Sequence, residues 1–469
     1  MRTKSIILII SILCISSLAA KIKVASVLGD NMVLQRNSEV KIWGTADASQ
    51  KVTVVADWNK QKISTTANEK GEWLLKVSTV EAGGPYNIQI TAGKEKLKIT
   101  NILLGEVWLC SGQSNMEMPV QGFNDQPINK SNETLVNATN TNIRLFTVEK
   151  ASKATPQDTC RGKWEMANAQ SVAKFSATAY YFGARLQKSL NIPIGLLCSS
   201  WGGSRIEAWI DSDNIKKHPQ SLLSTTKDNT PPNHRASNLF NGMINPIKNF
   251  SIKGAIWYQG ESNRGEFQYY AQLTKTMVEN WKTVFELNEL PFYFVQIAPY
   301  WYNNQSDILS GKFYDEQYKS SLIVPNAGMA ATIDLGEEFC IHPAEKKTVG
   351  ERLSYCALSE TYGVKGIAYK NPNFKSIAIK DSAAIISFDN IAIGLTSYGK
   401  EISNVEIAGD NQQFYPAKAV IKNRQLIVTA PDVKKPVAVR YCYRNFMAGK
   451  GFIYNTTGLP VLPFRTDNW

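Results

Sequence analysis

Histidine is the scarcest chemically versatile residue in this 469-residue chain: there are three, His218, His234 and His342, and no two stand at ligand spacing. That argues against a metal centre, which draws on clustered imidazoles and thiolates, and no metal or other cofactor is expected. Cysteine is also sparse. There are seven, with no C-x-x-C pair, and Cys110, Cys160, Cys198, Cys340, Cys356 and Cys442 lie far apart, so no compact disulfide framework is indicated. Cys110 and Cys198 fall in apolar strand patterns and read as buried thiols. Beyond residue 20 no stretch approaches the roughly 18 uninterrupted apolar residues of a membrane helix, and no membrane partner is expected. Basic residues outnumber acidic ones by twelve. They are scattered rather than gathered among aromatics, which argues for a solvated exterior and against a nucleic-acid face. This balance tolerates an acidic substrate without selecting one. Nothing in the sequence speaks to oligomeric state.

What is present begins with a leader. Arg2 and Lys4, the apolar run Ile6 to Ile15 and the small residues up to Ala20 read as a secretory signal peptide, cut after Ala19 or Ala20. The mature protein is expected to be secreted or periplasmic. From 21 to 100, short runs of period-two alternation such as Glu39-Val-Lys-Ile-Trp43 and Trp73-Leu-Leu-Lys-Val77 predict an N-terminal β-sandwich. From 101 to 365 the pattern becomes strand, polar turn, helix, which predicts an α/β domain with a parallel sheet flanked by helices. Helices are predicted over 174–190, 266–285 and 343–358. From 366 to 469 short strands return, predicting a C-terminal β-rich module.

Active sites of parallel sheets lie beyond the carboxyl ends of the strands, and Ser114, Gly203, Gln259 and Asp334 all fall just past a predicted strand. The stretch Val107 to Cys110 reads as a buried strand. It leads through Ser111, Gly112 and Gln113 to Ser114, where a helix can start. A hydroxyl at such a corner stands among unpaired backbone N–H groups that can stabilise an oxyanion, which suits a serine nucleophile.

Gly105-Glu-Val-Trp followed by Gly112-Gln-Ser-Asn-Met116 resembles the first block of the carbohydrate acetylesterases of the sialate O-acetylesterase type, within the SGNH/GDSL hydrolase class. The likeness continues at Trp201-Gly-Gly-Ser204 with Glu207-Ala-Trp209, at Trp257-Tyr-Gln-Gly-Glu-Ser-Asn263 and at Ile341-His-Pro343. It ends with Gly458-Leu-Pro and Pro463-Phe-Arg-Thr-Asp467. The resemblance implies an SGNH-like catalytic domain, and it places the catalytic histidine at His342, which the loop before Pro343 had already set facing the strand ends. His218 and His234 read as turn and loop residues.

The base expected for Ser114 is thus His342, and an ordinary imidazole would make the rate rise through roughly pH 6 to 7. The SGNH class often carries an aspartate three residues before the histidine, but that position is Phe339. Asp334 is the acidic candidate to complete a triad, with Glu338 and Glu261 behind it. A Ser–His dyad whose imidazole is held by a backbone carbonyl is the alternative. For the oxyanion hole the resemblance implies the Ser114 N–H, a glycine N–H, taken as Gly203, and a side-chain amide from Gln259, with Asn263 second. Arg205 is a candidate for a substrate carboxylate or for pairing with Glu207. Glu261 and Trp201 are further substrate-binding candidates. The expectation is a serine esterase that removes O-acetyl groups from sugars or glycans through an acetyl-serine intermediate. Sialic acids are the substrate implied by resemblance, and an acetyl xylan or other glycan esterase is the near alternative. A non-catalytic carbohydrate-binding protein is the alternative of a different class.

Overall fold

The computed structural model describes residues 21–225, 229–449 and 451–469. The leader lies outside the described residues. The first segment builds two antiparallel layers. Glu39–Thr45 pairs with Lys23–Val24 and Glu72–Ser78, while Lys51–Ala56 pairs with Lys62–Thr66 and Gly83–Ala92. In Glu72–Ser78 every second residue is buried, Trp73, Leu75 and Val77 facing inward, as a half-solvated strand requires.

Gly83–Ala92 then hands over to one 18-residue strand, Glu95–Gly112, which runs across residue 100 without a break. Its first half pairs antiparallel within the sandwich, and its second half is central to the large sheet. The order there is Trp164–Ala167, Asn140–Thr147, Ile194–Ser200, Glu95–Gly112, Gly254–Tyr258, Phe292–Val295, Ala327–Ala330. The last six of these pair in parallel, and Trp164–Ala167 adds an antiparallel edge. The sheet is therefore mixed. All seven residues of Ile194–Ser200 and all five of Gly254–Tyr258 are buried, the mark of strands covered on both faces. Trp108 and Cys110 pack with Phe182, Leu186, Val349 and Leu353 on one side, whereas Val107 and Leu109 join the core containing Met277, Trp281 and Phe313 on the other. Cys198 lies opposite Cys110 in register, and the six cysteines among the described residues are free thiols.

The helices depart from the sequence pattern at their starts. The one predicted over 174–190 begins at Ala177, after a separate helix Ala169–Lys174, because Phe175 turns extended and Ser176 caps Ala177–Leu190 by accepting the Ala179 N–H at 3.1 Å. The one predicted from 266 begins at Tyr270, after a 3₁₀ segment in which Glu266 is non-helical. The one predicted from 343 begins at Lys346. The helix Leu309–Ile323 and the strand Asn140–Thr147 were not predicted; Arg144, buried within the latter, breaks its apolar run. The C-terminal segment forms two four-stranded sheets and a two-stranded one. Among the described residues no helix is long and apolar enough to cross a membrane.

Candidate active site

The strand Glu95–Gly112 ends against its neighbour. Gly112 has φ +142, and a Cβ there would lie 2.2 Å from the Tyr258 carbonyl oxygen, so only glycine fits. Gln113 follows, its N–H donating to that same carbonyl at 2.9 Å. The short helix Ser114–Glu117 then starts with Ser114 half-buried at its first position. Among the described residues no hydrogen bond takes the Ser114 amide, which accords with a helix start.

The loop after Ile194–Ser200 lies directly on this corner. A Cβ on Gly202 would stand 3.4 Å from that of Ser114. The Gly202 N–H donates to Glu117 Oε2 at 2.5 Å, which fixes the loop. Gly203 has φ +68, and its carbonyl accepts from His234 Nε2 at 2.7 Å and Ser262 Oγ at 2.9 Å. Held from its carbonyl side, Gly203 keeps an amide that donates to no protein group among the described residues. Two backbone donors, on Ser114 and Gly203, are thus left open on adjoining loops.

The histidine loop is tied to the same corner. Asn115 Nδ2 donates to the Ile341 carbonyl at 3.1 Å, joining the residue after Ser114 to the residue before His342. The His342 ring packs edge-on against Phe123 at 5.3 Å, and its Nδ1–H donates to Gln126 Oε1 at 2.5 Å. That bond leaves Nε2 as the free base, the tautomer a proton acceptor needs. Burial, and then the positive charge of Lys346, hold the imidazole down to about 4. It is therefore neutral well below pH 6 to 7, where an unperturbed histidine would titrate.

Residues 104–358 match the family described as carbohydrate esterases, sialic acid-specific acetylesterases. The chain belongs to this family. It is similar over 94% of its length to the sialate O-acetylesterases of Mus musculus, at 29% identity over 93% of that protein, and of Homo sapiens, at 28% over 91%. Among solved structures it resembles a carbohydrate acetylesterase from Xanthomonas citri, with 31% identity and a TM-score of 0.86, covering 96% of this chain and all of that one. Family membership makes the protein a carboxylic ester hydrolase.

Several residues expected at this esterase site are engaged elsewhere. Asp334 does not hold the imidazole. Both its oxygens accept from Arg352, at 2.7 and 2.8 Å, in a pair whose side chains are each 7% exposed, and Gln126 takes the Nδ1 proton instead. Gln259 is fully buried. Its amide donates to the Ser204 carbonyl and Asn263 Oδ1, at 3.0 and 2.8 Å, and its oxygen accepts from Tyr270. Asn263 is likewise turned inward, accepting from the Ile206 N–H and donating to Glu207. Arg205 is gripped by Glu207 and Glu266, with its closest approaches 3.0 and 2.8 Å, which realises the pairing expectation rather than the substrate one. The Glu261 carboxylate is turned inward, accepting from Asn115 Nδ2 at 2.6 Å, with Oε2 buried. Trp201 is half-buried, with the Lys150 ammonium 5.8 Å from its ring centre. His218 bonds Thr276. Gln126 was not foreseen: it sits in the polar loop Phe123-Asn-Asp-Gln126, where no periodicity or motif singles out one residue.

Proposed function

We propose that this protein removes O-acetyl groups from sugars, sialic acids foremost, through an acetyl-Ser114 intermediate. The observation that carries the mechanism is the Asn115 to Ile341 hydrogen bond of 3.1 Å, which sets the serine corner and the histidine loop side by side. In this reading His342 Nε2 takes the Ser114 proton as the hydroxyl attacks the acetyl carbonyl, then gives it to the departing sugar hydroxyl. The amides of Ser114 and Gly203 receive the negative charge that develops on the carbonyl oxygen, each such donor contributing about 3 kcal/mol to the transition state. Water then attacks the acetyl-serine with the same imidazole as base; the bond from Ser114 Oγ to the acetyl carbon breaks, acetate leaves, and the imidazole returns its proton to Oγ. Gln126 stands where an acid would complete a triad. It fixes the ring through a neutral amide, which does not offset the burial and the Lys346 charge that make the base weak. The domain is read as SGNH-like, 21–100 and 366–469 as β modules on either side, and the protein as exported by its leader.

The sialate assignment is supported by the family and by the named relatives. A second reading, a neutral acetylated glycan as substrate, draws on Arg205, whose guanidinium is already committed to two carboxylates and so is not free for the carboxylate of a sialic acid. Turnover of p-nitrophenyl acetate by wild type and its loss in Ser114→Ala tests the mechanism; equal rates in the two refute it. Acetate release from 9-O-acetylated sialic acid beside acetylated xylo-oligosaccharides tests the substrate, and release from the latter alone removes the sialate label.

A further inference from the structure

Behind the serine corner lies a set of buried groups to which the acyl-transfer steps assign no part. Asn115, Glu261 and Lys346 come from three segments distant in sequence. Lys346 is fully buried, and its Nζ donates to Asn115 Oδ1 at 2.6 Å and to the Pro343 carbonyl at 2.9 Å. Asn115 Nδ2 donates to Glu261 Oε1 at 2.6 Å as well as to the Ile341 carbonyl at 3.1 Å. One carboxamide thus stands between an ammonium and a carboxylate, oxygen toward the cation and NH₂ toward the anion, as the field between them favours. Lys346 and Glu261 form no direct ion pair among the described residues, so their hydrogen-bonded link runs through Asn115. Glu261 Oε2 and the Tyr258 hydroxyl are buried beside this set with no protein partner, and the Lys346 ammonium lies 5.6 Å from the Tyr258 ring centre.

Burying opposite charges is a weak source of stability, since packed apolar side chains often serve equally well. What the set does, and apolar packing does not, is join the nucleophile's corner to the base's loop by directional bonds. We propose that Asn115, Glu261 and Lys346 are positioning residues of the esterase: a buried bracket that holds Ser114 and His342 in register and sets a cation behind the imidazole. The proposal rests on the roles given above to Ser114 and His342.

The charged surroundings agree with it. His342 faces the Lys346 charge from the helix that follows it and touches neutral Gln126 and Phe123 of the loop across, whose Asp125 is exposed. Lys346 in turn faces Glu261, Glu337 and Cys340; burial pushes it down to about 7 although these neighbours pull the other way. Below that pH the ammonium opposes protonation of the imidazole and keeps the base free in acid.

The test uses the full chain with p-nitrophenyl acetate and two variants. Lys346→Met removes both bond and charge. Lys346→Gln removes the charge and, one bond shorter, keeps an N–H for Asn115. Lys346→Met is expected to lower kcat by about 10- to 100-fold, as small misplacements of reacting groups do, with KM nearly unchanged. The acid inflection of its rate profile is expected to rise by about one pH unit. Lys346→Gln is expected to recover part of kcat while keeping the raised inflection. Folded variants with the kcat and inflection of wild type overturn the proposal. So does failure of both to fold, which would make Lys346 a requirement of the fold. Wild type against Ser114→Ala, on the same substrate, decides the underlying reading separately.

Discussion

Replacing Gln126 by glutamate puts a carboxylate where a neutral amide oxygen now accepts the Nδ1 proton of His342 at 2.5 Å. In the native protein burial and the Lys346 charge hold that imidazole down to about 4. Two unit charges about 4 Å apart interact by roughly 4 kcal/mol at an effective dielectric of 20, equivalent to about 3 pH units at 1.36 kcal/mol per unit. Neighbouring carboxylates in proteins move a titration by about 1 to 3 units. His342 in Gln126→Glu should therefore titrate between about 5 and 7. The assay is kcat/KM for p-nitrophenyl acetate from about pH 3.5 to 8.5. Wild type is expected to lose activity only near pH 4, and the variant to lose it about 1 to 3 units higher. The variant should be slower than wild type at pH 5, and at least equal to it at pH 8, where a more basic imidazole gains. Gln126→Leu, which keeps bulk but removes the acceptor, should be slower at every pH because the tautomer is no longer fixed. If the profile of the Gln126→Glu variant superimposes on that of wild type while the protein stays folded, the imidazole held by Gln126 is not the working base, and the argument fails.

Asp334→Asn breaks a buried two-bond pair with Arg352 and should cost about 3–5 kcal/mol of stability, read as a lower thermal or denaturant midpoint; kcat of the protein still folded should change less than tenfold, whereas a triad acid would cost orders of magnitude. Gly203→Ala meets no crowding, its nearest neighbour being Asn233 Nδ2 at 3.4 Å, but φ +68 is strained for alanine; a kcat loss of about tenfold or more with little change in KM is expected, and unchanged kcat would remove Gly203 from the oxyanion site. His342 also links stability to pH. Its ordinary value of 6.5 falls to about 4 on folding, so between these values the unfolded chain binds more protons; this contribution is complete above about pH 6.5 and is lost as pH falls toward 4. Urea midpoints at pH 4.5 and 7 should differ less in His342→Gln than in wild type.

The frame of the site was legible because it depends on patterns the chain displays locally. Apolar runs such as Val107 to Cys110 and Ile194 to Cys198 mark doubly covered strands, and polar residues at their ends mark the active face, so Ser114 and Gly203 stood out. What was not legible was the direction of each polar side chain beyond a strand end. Gln259 and Asn263 follow Gly254–Tyr258 as cleft residues do, but the chain turns them inward, where Ser204, Tyr270 and Glu207 satisfy them. Asp334 has the right place for an orienting acid, yet its partner, Arg352, arrives from a helix eighteen positions on. Lys346 read as a solvated lysine, and only the meeting of three distant segments makes it an interior cation. Gln126 lies in a loop whose composition carries no signal at all.

The strand Glu95–Gly112 belongs at once to the sandwich and to the central sheet. There is consequently no linker at which the first hundred residues can be clipped away to leave a self-sufficient enzyme. Removing the hairpin partner Gly83–Ala92 would strip one flank from the very segment that ends two residues before the nucleophile. The leading β layers are the anchorage of that segment rather than an appendage, and anyone trimming this protein for expression or fusion should keep them.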